Sequence, residues 1–197
     1  MIGWCICPFS AQICDAFMDT QLTSRQYDAV INECRQLFEA KTRDYGTAWR
    51  VLRPRSLTDQ IFIKAQRIRT IETTGENKVG ESARGEFVGI VNYALMALIQ
   101  INMQDESRME IPLAEALQMF NHQCEVTKQL MLAKNHDYGE AWREMRVSSF
   151  TDLILMKLLR IKQIEDNSGH TIVSEGIESG YRDIVNYAVF ALIVTPE

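Results

Sequence analysis

From residue 24 to residue 43 the apolar positions recur at the three-and-four spacing of a single helical face: Tyr27, Val30, Ile31, Cys34, Leu37 and Phe38. Ser24 stands where an N-cap belongs, and Gly46, following Asp44 and Tyr45, is placed to end the helix. A second stripe of Ile61, Ala65, Ile68 and Ile71 follows Ser56, and Ser56 with Asp59 has the spacing of a capping box. A third, nearly continuous apolar segment runs from near Gly80 to Asn102. No convincing alternation of apolar and polar residues, and no Asn-Gly turn, predicts a strand.

The pattern then returns. Lys41, Asp44, Tyr45, Gly46, Ala48, Trp49 and Arg50 reappear as Lys134, Asp137, Tyr138, Gly139, Ala141, Trp142 and Arg143. From Lys41/Lys134 to Glu72/Glu165, 17 of 32 aligned positions are identical. The second copy repeats the serine and aspartate as Ser149 and Asp152, and the stripe as Ile154, Leu158, Ile161 and Ile164. After one inserted residue the match resumes, with Glu81 meeting Glu175 and Ile90–Ala94 meeting Ile184–Ala188. The expected architecture is therefore all-α: a tandem repeat of two three-helix units, residues 24–104 and 113–197, packed as a pseudo-two-fold helical bundle. Residues 105–112 join them, and residues 1–23 form a tail in this reading.

Composition adds limits. The formal charge is −5 and the pI near 5.3, which argues against nucleic acid as a partner, because phosphate contacts supply most of a nonspecific binder's affinity. A local cluster of Lys and Arg is still enough for a small anion. No uninterrupted apolar run reaches the roughly 18 residues of a membrane span. The cysteines, Cys5, Cys7, Cys14, Cys34 and Cys124, are odd in number and do not have zinc-knuckle spacing, which favours a reducing, cytoplasmic setting. The first seventeen residues lack the basic stretch and cleavage site of a signal peptide, and read as a loosely held tail or a translated upstream stretch.

The polar residues that interrupt the apolar faces are the candidates for chemistry. Asp183 and Asn186 share a face of the last helix, with Glu175 two turns earlier and Glu178 near its edge. Such a carboxylate set suits Mg²⁺, which prefers oxygen ligands; the alternative is a solvated face on which Glu178 pairs with Arg182. Asn186, amid apolar neighbours, needs hydrogen-bond partners, from a ligand or from another helix. Asp152 is a cap residue first, and a metal ligand only if its helix end faces the last helix. Lys157 and Arg160, one turn apart like Lys64 and Arg67, can grip phosphates or snorkel at the core edge. Tyr138, Trp142, Arg143 and Arg146 can stack a nucleobase and hold its phosphates, or the Trp can pack its loop onto the bundle. His136 is replaced by Arg43 in the first copy and is given no catalytic role.

The strings K-x-x-D-Y-G-x-A-W, S-x-x-D-x-x-x-x-K-x-x-R-I and E-x-x-E-x-x-x-x-D-x-x-N-Y-A resemble the nucleotide-modification-associated domain 1 family of bacteria and phages, over roughly residues 25–103 and 115–195. The all-helical build with late acidic residues is also similar to the all-α NTP pyrophosphatases of the MazG-like group, although their paired Glu-x-x-Glu on the preceding helix is not visible. That second likeness implies Mg²⁺-dependent (or Mn²⁺-dependent) cleavage of a nucleoside triphosphate to monophosphate and pyrophosphate. Glu175, Glu178, Asp183 and Asp152 would hold the metal, Lys157 and Arg160 would neutralise developing charge, and Tyr138, Trp142, Arg143, Arg146 and Asn186 would hold the nucleotide. The first copy has Arg84 and Gly89 in the places of Glu178 and Asp183, so the expectation is one competent site, in the second copy. The other reading is a non-catalytic nucleotide-binding or scaffold domain. A homodimer stays open.

Overall fold

The computed structural model describes residues 8–78, 80, 82–103, 107–171 and 176–195, with side chains from Gln21 onward. These residues form six α-helices and no strand: α1 (Pro8–Tyr45), α2 (Pro54–Thr74), α3 (Ala83–Asn102), α4 (Leu113–Tyr138), α5 (Val147–Asp166) and α6 (Ile177–Val194). Short 3₁₀ turns at Ala48–Val51 and Ala141–Glu144 precede α2 and α5. The chain is an all-α tandem repeat, α1–α3 followed by α4–α6.

Two boundaries differ from expectation for local reasons. The first helix begins at Pro8, not near Ser24, because the stretch from Asp19 to Ser24 is polar but contains neither glycine nor proline to break it. Thr23 there is fully buried. Residues 1–7, with Cys5 and Cys7, lie outside the described residues, as does the Cys14 side chain. The second boundary concerns α2 and α5, which start two residues before Ser56 and Ser149, at Pro54 and Val147, with Arg53 and Arg146 as N-caps and no side-chain cap. Proline is favoured at that first helical position, so α2 starts there and its serine falls inside the first turn. The capping boxes do not form. Gly46 and Gly139 do follow α1 and α4 in the left-handed region, at φ +60 and +57.

The helices α3 and α6 pack on each other at the centre, α2 flanks α3, α5 flanks α6, and α2 also meets α5. Over them α1 lies beside α4, and each also reaches the other repeat's last helix. By length and composition α3 could cross a bilayer, which the absence of a long uninterrupted apolar run did not reveal. Here Phe87, Ile90, Val91, Ala94, Leu95 and Leu98 put it in the core.

The pseudo-symmetry is legible contact by contact, because aligned residues repeat one another's interactions across the axis. Arg35 donates to Asn121 at 3.1 Å, and its counterpart Lys128 donates to Asp28 at 2.7 Å. Lys162 pairs with Asp59 at 2.6 Å, and its counterpart Arg69 with Asp152 at 3.9 Å. The buried Thr58 hydroxyl donates to Glu165 at 2.7 Å, and the buried Thr151 hydroxyl to Glu72 at 2.9 Å. Cys34 and Cys124 are buried free thiols, and burial pushes Cys124 up to about 12 and Cys34 higher still. They are core residues, not nucleophiles.

Burial raises Glu165 above the usual carboxylate range, against the lowering effect of the Thr58 hydrogen bond. A carboxyl raised on folding favours the fold below its unfolded value and loses that contribution as pH rises through its folded value. Glu165→Gln, which keeps the acceptor for Thr58, should therefore raise Tm at pH 8 relative to the parent and leave it unchanged at pH 4. Because Glu165 is only half-buried, solvent screening keeps the expected gain small, about 1 °C. Thermal melts at the two pH values check it.

Candidate functional site

Asp183 lies on the buried face of α6, where a carboxylate cannot stay ionised without partners. Two lysines supply them. Lys134, near the C-terminal end of α4, donates to Oδ1 at 2.6 Å, and Lys157, from the middle of α5, pairs with Oδ2 at 2.7 Å. Their exposures differ: the Lys134 side chain is 47% exposed, that of Lys157 only 12%.

Beside this triad is a cavity of about 380 Å³. Its polar lining is Lys134, Asn135, Asp183 and Asn186, and its aromatic lining is Tyr138, Trp142, Tyr187 and Phe190. Tyr138 is strongly exposed at the rim. Burial, and then the Asp183 charge, raise Tyr187, so it stays a phenol. Asn186 accepts a hydrogen bond from the Tyr27 hydroxyl at 2.9 Å, and its amide faces the Thr127 carbonyl at 3.5 Å. Tyr27 belongs to α1, so the first repeat orients a residue of the second repeat's cavity.

The same dependence fixes the cavity's end. The Trp142 indole N–H donates to Asn135 at 2.9 Å, and the Asn135 amide donates to Glu140 at 2.9 Å. Burial opposes ionisation of Glu140, but hydrogen bonds from Thr23, Arg143 and Asn135 outweigh it and hold the carboxyl below its usual range. Arg143 ties this loop to α1 through Thr23 at 2.5 Å and Gln26 at 2.8 Å.

The first repeat lacks this network, residue by residue. Thr42 stands in place of Asn135, and among the described residues the Trp49 indole nitrogen has no partner. Phe120 stands in place of Tyr27, and the buried Asn92 oxygen has none either. Gly89 stands in place of Asp183, and the Lys64 side chain fills the space, with its Cε 2.8 Å from where a Cβ would be. The balancing acid is Glu86, one turn earlier and buried, paired with Lys64 at 3.0 Å and with Arg67. Arg84, in place of Glu178, bonds Glu33 and the carbonyls of Leu192 and Thr195 at the end of α6.

The structure brings together some of the expected site residues and separates others. Asp183, Asn186, Tyr138 and Trp142 line one cavity, and Lys157 backs it. Trp142 cannot stack a base: one face lies on Phe190 at 4.2 Å and 8°, the other under the Arg143 guanidinium at 4.4 Å. It packs the loop onto the bundle instead. Arg143 is bound in that strap, while Arg146 and Arg160 are exposed and outside the cavity lining. Asp152 does not cap α5; it faces Arg69 across the pseudo-two-fold axis. Glu178 pairs with Arg182 at 3.0 Å along its own helix, and Glu175 lies outside the described residues. Mg²⁺ needs several oxygen ligands, yet each Asp183 oxygen already accepts from a lysine, and no three Asp, Glu, His or Cys side chains converge among the described residues. These residues do not fit a metal centre. Lys134, Tyr27, Tyr187 and Phe190 are site residues absent from the sequence expectation, although Lys134 was marked by its identity with Lys41.

Fold and site together define a duplicated all-α domain in which one copy keeps a lysine-neutralised, aromatic-walled pocket. The chain belongs to the nucleotide modification associated domain 1 family, whose model matches it twice, at residues 41–101 and 134–194. No curated protein and no solved structure matches it.

Removing the shared acid leaves two lysines uncompensated, one of them buried. Asp183→Asn should cost about 3 kcal/mol of unfolding free energy, while Lys134→Met, at an exposed end of the triad, should cost less than about 1 kcal/mol. Urea unfolding of both variants measures the difference.

Proposed function

We propose that this domain holds a nucleotide or nucleoside in the second repeat's pocket, as a binding module for nucleotide modification rather than as a pyrophosphohydrolase. One observation carries this reading: a polar and aromatic cavity whose hydrogen-bond network is satisfied in one copy and dismantled in the other. The first repeat keeps a buried acid between two cations without such a cavity, so that triad alone gives no reason for the oriented amide and the aromatic wall of the second. A ligand that needs them does. Tyr138 and Tyr187 offer aromatic surface to a base, Asn186 offers an amide to its edge, and Lys134 is placed for a phosphate. The hydrolytic reading needs clustered carboxylates, and among the described residues Asp183, Glu178 and Asp152 are each engaged by a cation.

Thermal melts of the full chain with a panel of common and base-modified nucleotides test the proposal. A ligand at a hundred times its Kd should stabilise the fold by about 2.7 kcal/mol, several degrees in Tm. Tyr138→Ala should cut the shift to about half for the same panel at the same concentrations. Pyrophosphate release from triphosphates in Mg²⁺ or Mn²⁺ should stay at background. Release above background would restore the hydrolytic reading, and no shift with any nucleotide would remove the binding one.

A further inference from the structure

Resting on that reading, we infer that the pocket selects a nucleoside 5′-monophosphate over the free nucleoside and over the triphosphate. The selection follows from how charge is distributed around Asp183. The charged side chains lining the cavity are Lys134 and Asp183, with Lys157 behind the carboxylate. Two lysines against one aspartate leave a single net positive charge. Lys157 is nearly buried and keeps Asp183 neutralised wherever Lys134 points. Lys134 is half exposed and stands near the C-terminal end of α4, so it can turn from Asp183 to a ligand phosphate without leaving a buried charge unpaired. One movable cation serves one phosphate.

The surroundings disfavour more. Lys134 and Tyr138 stand near the C-terminal end of α4, and such ends repel anions. A triphosphate normally needs a divalent cation to offset its further charges, and the described carboxylates do not form a site for one. A free nucleoside gains the Tyr138 and Tyr187 surfaces and the Asn186 amide, whose nitrogen has a second hydrogen besides the one facing Thr127. It leaves Lys134 unused.

Calorimetric titration of the full chain in EDTA, with each common deoxynucleoside, its 5′-monophosphate and its 5′-triphosphate, tests this. The monophosphate of the preferred base should bind about tenfold more tightly than its nucleoside, the difference one charge-assisted contact makes. The triphosphate should bind no more tightly than the monophosphate. Lys134→Met should erase the monophosphate's advantage over the nucleoside, whereas Tyr138→Ala should weaken every form about tenfold. Both positions are exposed enough for the variants to fold, which far-UV circular dichroism verifies. A tighter triphosphate, a nucleoside equal to the monophosphate, or a monophosphate indifferent to Lys134→Met overturns the charge assignment and leaves the pocket reading in place. No heat with any form, from a folded chain, overturns the pocket reading itself.

Discussion

The two most apolar helices of this chain, α3 and α6, can be kept from water only by being packed against each other. Each is buried over most of its circumference, and a three-helix unit has too few neighbours to cover such a helix alone. Pairing α3 with α6 meets that constraint and places a pseudo-two-fold axis between them. The remaining elements follow from it. The α2–α5 contact and the α1–α4 contact lie across the same axis and carry aligned residues in matched interactions. The first helix of each repeat is thereby laid over the last helix of the other.

That crossing is why one repeat can lose a site while the other keeps it. The second cavity depends on Tyr27, Thr23 and Gln26 from α1, whereas the first would depend on residues of α4. Once position 120 is Phe, Asn92 loses its hydroxyl partner, and with Gly89 in place of an acid the Lys64 side chain fills the vacated space. Each change removes a polar requirement of the first repeat without touching the second, because the helices that serve the two cavities are different. The burial of Glu86 between Lys64 and Arg67 shows the resolution: the cations stay and the acid moves one turn, from a position that borders a cavity to one that closes it.

Much of the fold was legible in the sequence because it is written twice. The repeat fixed the number of helices, and the stripes at Ile61, Ala65 and Ile68 and at Ile154, Leu158 and Ile161 are buried as their spacing requires. What could not be read was which polar residues meet across the axis. Asp152 looked like a cap or a ligand because its neighbours along the chain were visible and Arg69, on the other repeat, was not. Trp142 looked available for stacking because nothing local reveals that Phe190 and Arg143 cover its two faces. Lys134 and Asp183 are 49 residues apart, a separation at which spacing carries no information. The asymmetry between the repeats was the better guide, since Gly89 in place of Asp183 already marked where the two repeats' cavities differ.

A buried carboxylate can be held by cations from the protein or by a metal, and the two solutions make different sites. A metal centre gathers acids and leaves coordination positions open to water or substrate. Among the described residues Asp152, Glu178 and Asp183 lie apart, each beside its own cations, and two lysines meet on Asp183. In the binding reading, such a site exchanges one lysine contact for a ligand's anion at little electrostatic cost. The exchange is easiest where one lysine is nearly buried and the other half exposed, the division between Lys157 and Lys134. In the binding reading proposed above, the pocket recognises charge already carried by a small ligand, with the aromatic wall and the Tyr27-oriented amide setting what else that ligand must present.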